Sequence, residues 1–133
     1  MSRAVLDTSV FIAAEQGRAL VRVLPAEVAV SVVTIGELQL GVLATDDSDL
    51  RARRADTLAL ARSADPLPIG EPVMVAWARL VNDCRTAGIH RTVRLTDALI
   101  AATAIEHGLP VITQDDDFAQ LARAHAPLDV IRV

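Results

Sequence analysis

Short apolar runs rich in valine, leucine and isoleucine recur along this chain, and most of them end at a polar residue, a proline or a glycine. Runs of this length between turn residues are typical of buried β-strands. We therefore predict five strands, at residues 4–6, 28–33, 67–69, 111–113 and 128–133.

The segments between these runs have the length and the start and stop signals of helices. Glycine follows three of them, at Gly17, Gly88 and Gly108, where it suits the end of a helix. The predicted helices are 8–17 with a second short helix over 18–23, 34–43, 49–64, 71–87, 97–107 and 117–124. Strands that alternate with helices predict an α/β fold in which helices cover both faces of a parallel sheet.

Length and composition favour one domain over residues 1–133, with a core of small aliphatic side chains. Hydrophobic residues make up 52% of the chain and aromatic residues only 2%. The single cysteine, Cys84, excludes a disulfide framework and a thiolate zinc site. We find no secretory signal and no run long enough to cross a membrane, so we expect a soluble, cytoplasmic protein.

The net charge of −4 argues against a simple nucleic-acid coat protein. All 13 basic residues are nevertheless arginine. The guanidinium fork suits phosphate and carboxylate groups, but a coding bias towards arginine and alanine is the favoured explanation of this composition. With so few aromatic rings, the chain has no base-stacking platform for single strands.

Four acidic residues stand where a predicted strand ends or a predicted helix begins. Asp7 follows the first strand, Asp115 follows the fourth, and Glu37 and Asp97 lie in the first turns of helices; the four are Asp7, Glu37, Asp97 and Asp115. In an open α/β sheet such positions converge beyond the carboxyl ends of the strands, where ligands bind. Carboxylate oxygens suit a hard divalent cation, so this pattern indicates metal-assisted cleavage of a phosphodiester.

Each acid also has a structural alternative. Asp7 can cap the helix that follows it. Glu37 can close a capping box with Thr34, while Asp97, after a capping Thr96, can favour the helix dipole. Asp115, Asp116 and Asp117 are adjacent, and we assign the capping of the following helix to Asp117. The functional interpretation depends on the coincidence of four acids at equivalent positions.

The sequence gives little support for other common kinds of catalytic or binding site. The three histidines lack metal-ligand spacing, Ser9 lacks the surroundings of a nucleophile elbow, and the glycines form no phosphate-binding loop. His90, Arg91 and Arg94 precede Asp97 in a predicted loop and could contact a phosphate.

The segments VLDTSVFIA, VVTIGELQLGVL and TDALIAATAIEHGLPVITQDDDF together resemble the motifs of the PIN-domain ribonucleases, and among them the VapC toxins of type II toxin–antitoxin systems. The resemblance spans nearly the whole chain. It implies a three-layer α/β/α PIN domain with a five-stranded parallel sheet. By it, Asp7, Glu37, Asp97 and Asp115 are the catalytic, metal-binding quartet, and Thr113 is a supporting polar residue.

The same resemblance implies an endoribonuclease that uses Mg²⁺ or Mn²⁺ to activate water against structured RNA such as tRNA or rRNA. It further implies a cognate VapB antitoxin and a toxin homodimer. The alternative is a catalytically silent PIN-like module that binds RNA or protein. A phosphoacceptor receiver domain is disfavoured because the chain contains no lysine, and a phosphatase because a DxDxT motif is missing.

Overall fold

The structure is a computed structural model that describes residues 3–89 and 93–133. Five parallel strands form one sheet in the order β3-β2-β1-β4-β5. The strands are β1 (Arg3–Leu6), β2 (Glu27–Ser31), β3 (Pro66–Leu67), β4 (Val111–Thr113) and β5 (Val130–Arg132). The helices are α1 (Thr8–Glu15), α2 (Val32–Leu43), α3 (Ser48–Arg62), α4 (Glu71–Thr86), α5 (Leu95–Glu106) and α6 (Asp117–Ala124). The predicted α/β class and five-stranded parallel sheet are confirmed.

Strand residues alternate between two hydrophobic clusters, as the twofold period of a strand requires. In β1, Ala4 and Leu6 pack with α1, α2 and α3, whereas Val5 packs with α4, α5 and α6. Helix α5 contacts the three central strands, and its alanines are almost fully buried. Their small side chains let this helix lie close to the sheet, which explains a core with few aromatic residues.

The order of the strands creates a switch point at the centre of the sheet. From β1 the chain first adds β2 and β3 on one side, and later adds β4 and β5 on the other. Strands β1 and β4 are therefore neighbours, and the backbone N–H of Asp7 donates to the carbonyl of Ile112 at 2.8 Å. A crevice opens beyond the carboxyl ends of such a pair.

The second short helix predicted at 18–23 is wrong, because that segment is irregular. Gly17 adopts φ +71°, a left-handed conformation that ends α1. Its N–H donates to the carbonyl of Ala14, and the N–H of Arg18 donates to that of Ala13. This pair of bonds closes the helix and turns the chain away.

The junction between β2 and α2 also differs from the prediction. The predicted strand ran to residue 33, but Ser31 ends the strand and its hydroxyl accepts from the N–H of Val33 at 3.1 Å, which caps the helix. The capping box predicted for Thr34 and Glu37 is therefore wrong. Both residues lie inside α2, and Thr34 is fully buried.

The other observed ends of helices and strands lie within a few residues of the predicted ends. The N-cap of α5 is Arg94, so the prediction that Thr96 caps this helix is wrong. Strands β3 and β5 are shorter than predicted, whereas β4 and α6 have the predicted bounds. Across residues 3–89 and 93–133, no helix combines the length and the apolar character that a membrane span needs.

Candidate active site

The four acids singled out from the sequence line one cavity of about 230 Å³ at the carboxyl end of β1 and β4. Asp7 and Asp97 are buried, with 2% and 7% of their surface exposed, Glu37 is half-buried, and Asp115 is exposed. Their positions at a strand end, in two helices and in a loop explain how such distant residues meet. A larger, mostly apolar cavity of about 640 Å³ next to α1 and α3 contains none of them.

Two hydroxyl groups hold the carboxylate of Asp7. Ser9 Oγ and Thr113 Oγ1 both donate to Asp7 Oδ2, at 2.7 and 2.9 Å. Each hydroxyl also accepts a main-chain hydrogen bond, Ser9 from the N–H of Gln114 and Thr113 from the N–H of Asp115. The predicted supporting role of Thr113 therefore has a structural basis: it joins Asp7 to the loop after β4.

A second pair of hydroxyls positions Glu37. Thr8 Oγ1 donates to Glu37 Oε1 at 2.8 Å and lies 3.0 Å from Thr34 Oγ1. With its hydrogen directed at Glu37, Thr8 accepts from Thr34. Helix α1 thereby orients a carboxylate of α2 through a partly buried hydrogen bond. Sequence reasoning missed the roles of Thr8 and Ser9; Thr8 bonds a residue 29 positions away, whereas Ser9 bonds Asp7 only two residues away.

The three consecutive aspartates separate into different roles. Asp115 lines the cavity, whereas Asp116 occupies the N-cap position of α6 and pairs with Arg132 of β5. Asp117 is the first residue of α6, so the prediction that it caps this helix is wrong. Its negative charge still reaches the site, since it raises the pKa of both Asp97 and Asp115.

Burial raises the pKa of three of these carboxyl groups, and repulsion from neighbouring acids adds to the shift for Asp97 and Asp115. Burial and the charge of Asp7 raise the pKa of Asp97 to about 6, against the opposing charge of Arg94. Burial raises the pKa of Asp7, although the hydroxyls of Ser9 and Thr113 oppose the shift. The pKa of Asp115 is raised by partial desolvation and by Asp7, even though the residue as a whole is exposed. Such a cluster is stabilised by any cation that enters it.

Two arginines border the acids. Arg94, which the sequence suggested as a phosphate contact, lines the cavity, and so does Arg18, which sequence reasoning missed. The other suggested contacts, His90 and Arg91, lie outside the described residues. His125 does not line this cavity. Its Nδ1 lies 2.6 Å from Asp83 Oδ2, and this contact joins α4 to the end of α6.

The donor set suits a hard cation, but the side chains do not form a closed cage. Within residues 3–89 and 93–133, no group of three or more His, Cys, Asp or Glu side chains is close enough to hold a metal ion directly. A cation in this cavity would therefore keep some of its water molecules between itself and the carboxylates. Mg²⁺ commonly binds proteins in this way.

Known proteins are similar to this chain in sequence and in fold. The PIN domain family model matches residues 4–124. Ribonuclease VapC8 of Mycobacterium tuberculosis is 66% identical over 100 residues, which cover 75% of this chain and 88% of that protein. Ribonuclease VapC5 of the same species is 49% identical over 130 residues, which cover 97% and 94%.

A solved structure extends the similarity to the whole fold. The crystal structure of VapBC-5 from Mycobacterium tuberculosis, a member of the VapBC family of toxin–antitoxin systems, matches with a TM-score of 0.88 and 42% identity, covering 100% of both chains. The family suggested by the sequence motifs is thereby confirmed. This chain belongs to the PIN domain family and, within it, to the VapC ribonucleases.

Proposed function

We propose that this protein is a divalent-metal-dependent endoribonuclease that acts as the toxin of a VapBC-type toxin–antitoxin system. The observation that supports the proposal best is the convergence of Asp7, Glu37, Asp97 and Asp115 on one cavity at the switch point of the sheet. The similarity to relatives named ribonucleases supplies the substrate class, RNA. Structured RNA such as tRNA or rRNA is the proposed target.

The same four carboxylates are the proposed ligands for Mg²⁺ or Mn²⁺, directly or through water molecules. When bound, such an ion would lower the pKa of a water molecule and neutralise charge on the phosphate. The raised pKa values of Asp7, Asp97 and Asp115 support this assignment, because burial disfavours their ionised forms and, for Asp97 and Asp115, the negative charge of Asp7 adds to that effect. The hydroxyls of Thr8, Ser9 and Thr113 supply the surrounding hydrogen bonds that fix ligands in metal sites.

Residues of the chain itself then prepare the reaction. The hydroxyls of Ser9 and Thr113 keep Asp7 in one orientation, and Thr8 does the same for Glu37. An ionised Asp97 carboxylate can accept a proton from a water molecule in the cavity. Positioned groups of this kind account for most of the catalysis in phosphodiester cleavage, because little covalent chemistry is left to the protein.

A cognate VapB-type antitoxin is the proposed protein partner, and a toxin homodimer is the proposed assembly. The antitoxin is supported by the similarity of this chain, over its full length, to the structure of VapBC-5, a member of the VapBC family of toxin–antitoxin systems.

The decisive experiment incubates the purified protein with labelled structured RNA in Mn²⁺ or Mg²⁺, with and without EDTA. We expect cleavage that EDTA abolishes and that Asp7→Asn reduces by at least about a hundredfold. Asp56→Asn is the matched control, because Asp56 is an exposed acid on α3 outside the cavity. Full activity of Asp7→Asn, or full activity in EDTA, would refute the proposal. RNA binding without cleavage would favour the silent module instead.

A further inference from the structure

Arg18 borders the acidic cavity and is not committed to any other contact there. Among the described residues its guanidinium has no ion pair and no hydrogen bond, in contrast to the side chains of Arg3, Arg51 and Arg132, which pair with aspartates. Four carboxylates line the same cavity, yet none approaches Arg18 within salt-bridge distance. The guanidinium fork is therefore free to bind an incoming anion.

The backbone places Arg18 at a fixed point beside the cavity. Gly17, in its left-handed conformation, reverses the chain at the end of α1. The N–H of Arg18 then donates to the carbonyl of Ala13 at 2.9 Å. A residue held by this helix-ending pair of hydrogen bonds has a defined backbone position, even though its side chain is exposed. Only the side chain needs to be ordered when a ligand arrives.

Arg18 and Arg94 come from separate segments and line the same cavity. Arg18 follows α1, whereas Arg94 is the N-cap of α5. Both positive charges lower the pKa of Asp115, so both act on the acid at the mouth. Ile12 of α1, with 37% of its surface exposed, lines the cavity as well. The cavity is thus lined by carboxylates and by cations from two separate segments of the chain.

A polyanion entering this cavity needs such cations. The four carboxylates repel phosphate, and a bound divalent ion offsets only part of their charge at the reacting phosphate. The neighbouring phosphates of an RNA strand would still face the acids. A guanidinium presents two parallel N–H donors that match two phosphate oxygens, which makes unpaired arginines well suited to these positions.

We propose that Arg18 binds an RNA backbone phosphate next to the scissile one, and that Arg94 binds a second phosphate, so that the two arginines clamp the strand across the acidic cavity. The inference rests on the proposed function for its ligand, RNA. In this role Arg18 contributes to substrate binding and leaves the chemical step unchanged. Its loss raises KM and leaves kcat largely unaltered.

The first test measures binding without cleavage. Proteins that carry Asp7→Asn to suppress cleavage are titrated, in Mg²⁺, into a fluorescein-labelled oligoribonucleotide of mixed sequence over a range of salt concentrations. We expect Arg18→Gln to weaken binding about tenfold. It should also reduce the slope of log Kd against log salt by about one. Arg18→Lys should restore part of the affinity, because lysine keeps the charge but loses the fork.

Arg79→Gln provides the matched control, since Arg79 is an exposed arginine on α4 that does not line the cavity. It changes the net charge equally and should alter neither the affinity nor the slope. Equal effects of Arg18→Gln and Arg79→Gln would overturn the clamp and leave only general electrostatic attraction. RNA cleavage by Arg18→Gln in the otherwise wild-type protein gives kcat and KM. A loss in kcat with unchanged affinity would also overturn the clamp, because Arg18 would then act on the reaction.

The outcomes also separate the clamp from the nuclease proposal. If the parent protein binds RNA with the expected dependence on Arg18 but the wild type never cleaves RNA, the clamp holds and the nuclease proposal fails. If the wild type cleaves RNA and Arg18→Gln has the KM of the wild type, the clamp fails and the nuclease proposal holds. A parent protein that does not bind RNA at all overturns the clamp.

Discussion

Buried hydroxyl groups determine how the carboxylates of this site are held. Thr8, Thr34 and Thr113 each have less than a tenth of their surface exposed, and each hydroxyl lies against a site acid or against another such hydroxyl. A hydrogen bond to a charged group is worth more than one between neutral groups. These small residues therefore fix the orientation of the acids.

Thr8→Val tests this idea because valine keeps the shape of threonine and removes the hydroxyl. Glu37 then loses the donor at 2.8 Å, and we expect cleavage of RNA to fall about tenfold or more, while Thr8→Ser retains most of the activity. The measurement is the rate of RNA cleavage in saturating Mn²⁺. Thr57→Val is the control, since the Thr57 hydroxyl bonds the carbonyl of Arg53 within its own helix. Equal losses in both variants would show that general destabilisation is responsible.

The sequence allowed the four acids to be predicted but not the residues that serve them. Asp7 and Asp115 follow strands directly, and this placement is visible in the pattern of apolar runs. The partnership of Thr8 with Glu37 joins residues 29 positions apart, and that of Thr113 with Asp7 joins residues 106 apart. No local pattern contains such contacts, and the bond from the N–H of Gln114 to Ser9, 105 residues apart, escaped notice for the same reason.

At the level of the elements, glycine has opposite effects at the end of a helix and inside one. Gly108 adopts φ +65° just beyond α5, and its N–H donates to the carbonyl of Ile105. Gly36 lies within α2, and neither glycine has an atom within 4 Å of the position where a Cβ would stand. A Cβ atom would therefore clash at neither site, and the two glycines differ in backbone conformation.

We expect Gly108→Ala to lower the free energy of unfolding by about 1 kcal/mol, because an L-residue disfavours a positive φ. Gly36→Ala should raise it by about 0.5–1 kcal/mol through higher helix propensity. Urea denaturation followed by circular dichroism measures both values. The same sign for both substitutions would contradict this account of the helix ends.

The elements that the sequence predicted incorrectly are those in which tertiary contacts override local preference. Val32 and Val33 are β-branched and continue a strand pattern, yet Ser31 caps a helix there and the turn brings Thr34 beneath Thr8. The segment 18–23 lacks a glycine or proline to break it, but Gly17 has already reversed the chain. By contrast, α6 follows a clear polar boundary and was predicted with its correct bounds.

At the level of the whole molecule, strand order determines where the acids meet. The alternation of elements predicted a parallel sheet, but it did not specify the order β3-β2-β1-β4-β5. That order makes β1 and β4 neighbours and brings Asp7 and Asp115 to one crevice. The order of the strands depends on which helices cover which face of the sheet. It therefore depends on long-range packing, which a local pattern does not contain.

The acidic crevice should make folding stability depend on pH and on metal. Burial and neighbouring negative charge raise the pKa of Asp97 from 3.8 to about 6. Between these two pH values the folded protein therefore binds a proton that the unfolded chain has released. Stability of the metal-free protein should then rise as the pH falls from about 6 towards 3.8, and Asp97 should carry its full penalty above pH 6.

Asp97→Asn removes this ionisation, and we expect the metal-free variant to have a higher Tm than the wild type at pH 7.5 and nearly the same Tm at pH 4. Comparing wild type with variant at each pH cancels the contribution of titrating groups that do not interact with Asp97. Excess Mn²⁺ should raise the Tm of the wild type at pH 7.5 by mass action, because it binds the folded carboxylates, and should raise that of Asp97→Asn much less. Differential scanning fluorimetry, with EDTA for the metal-free samples, measures the six Tm values: each protein at pH 7.5, at pH 4, and at pH 7.5 with Mn²⁺. If metal-free Asp97→Asn were less stable than the wild type at pH 7.5, a stabilising contact of Asp97 would outweigh the repulsion among the acids. The absence of a cation would then not destabilise this crevice.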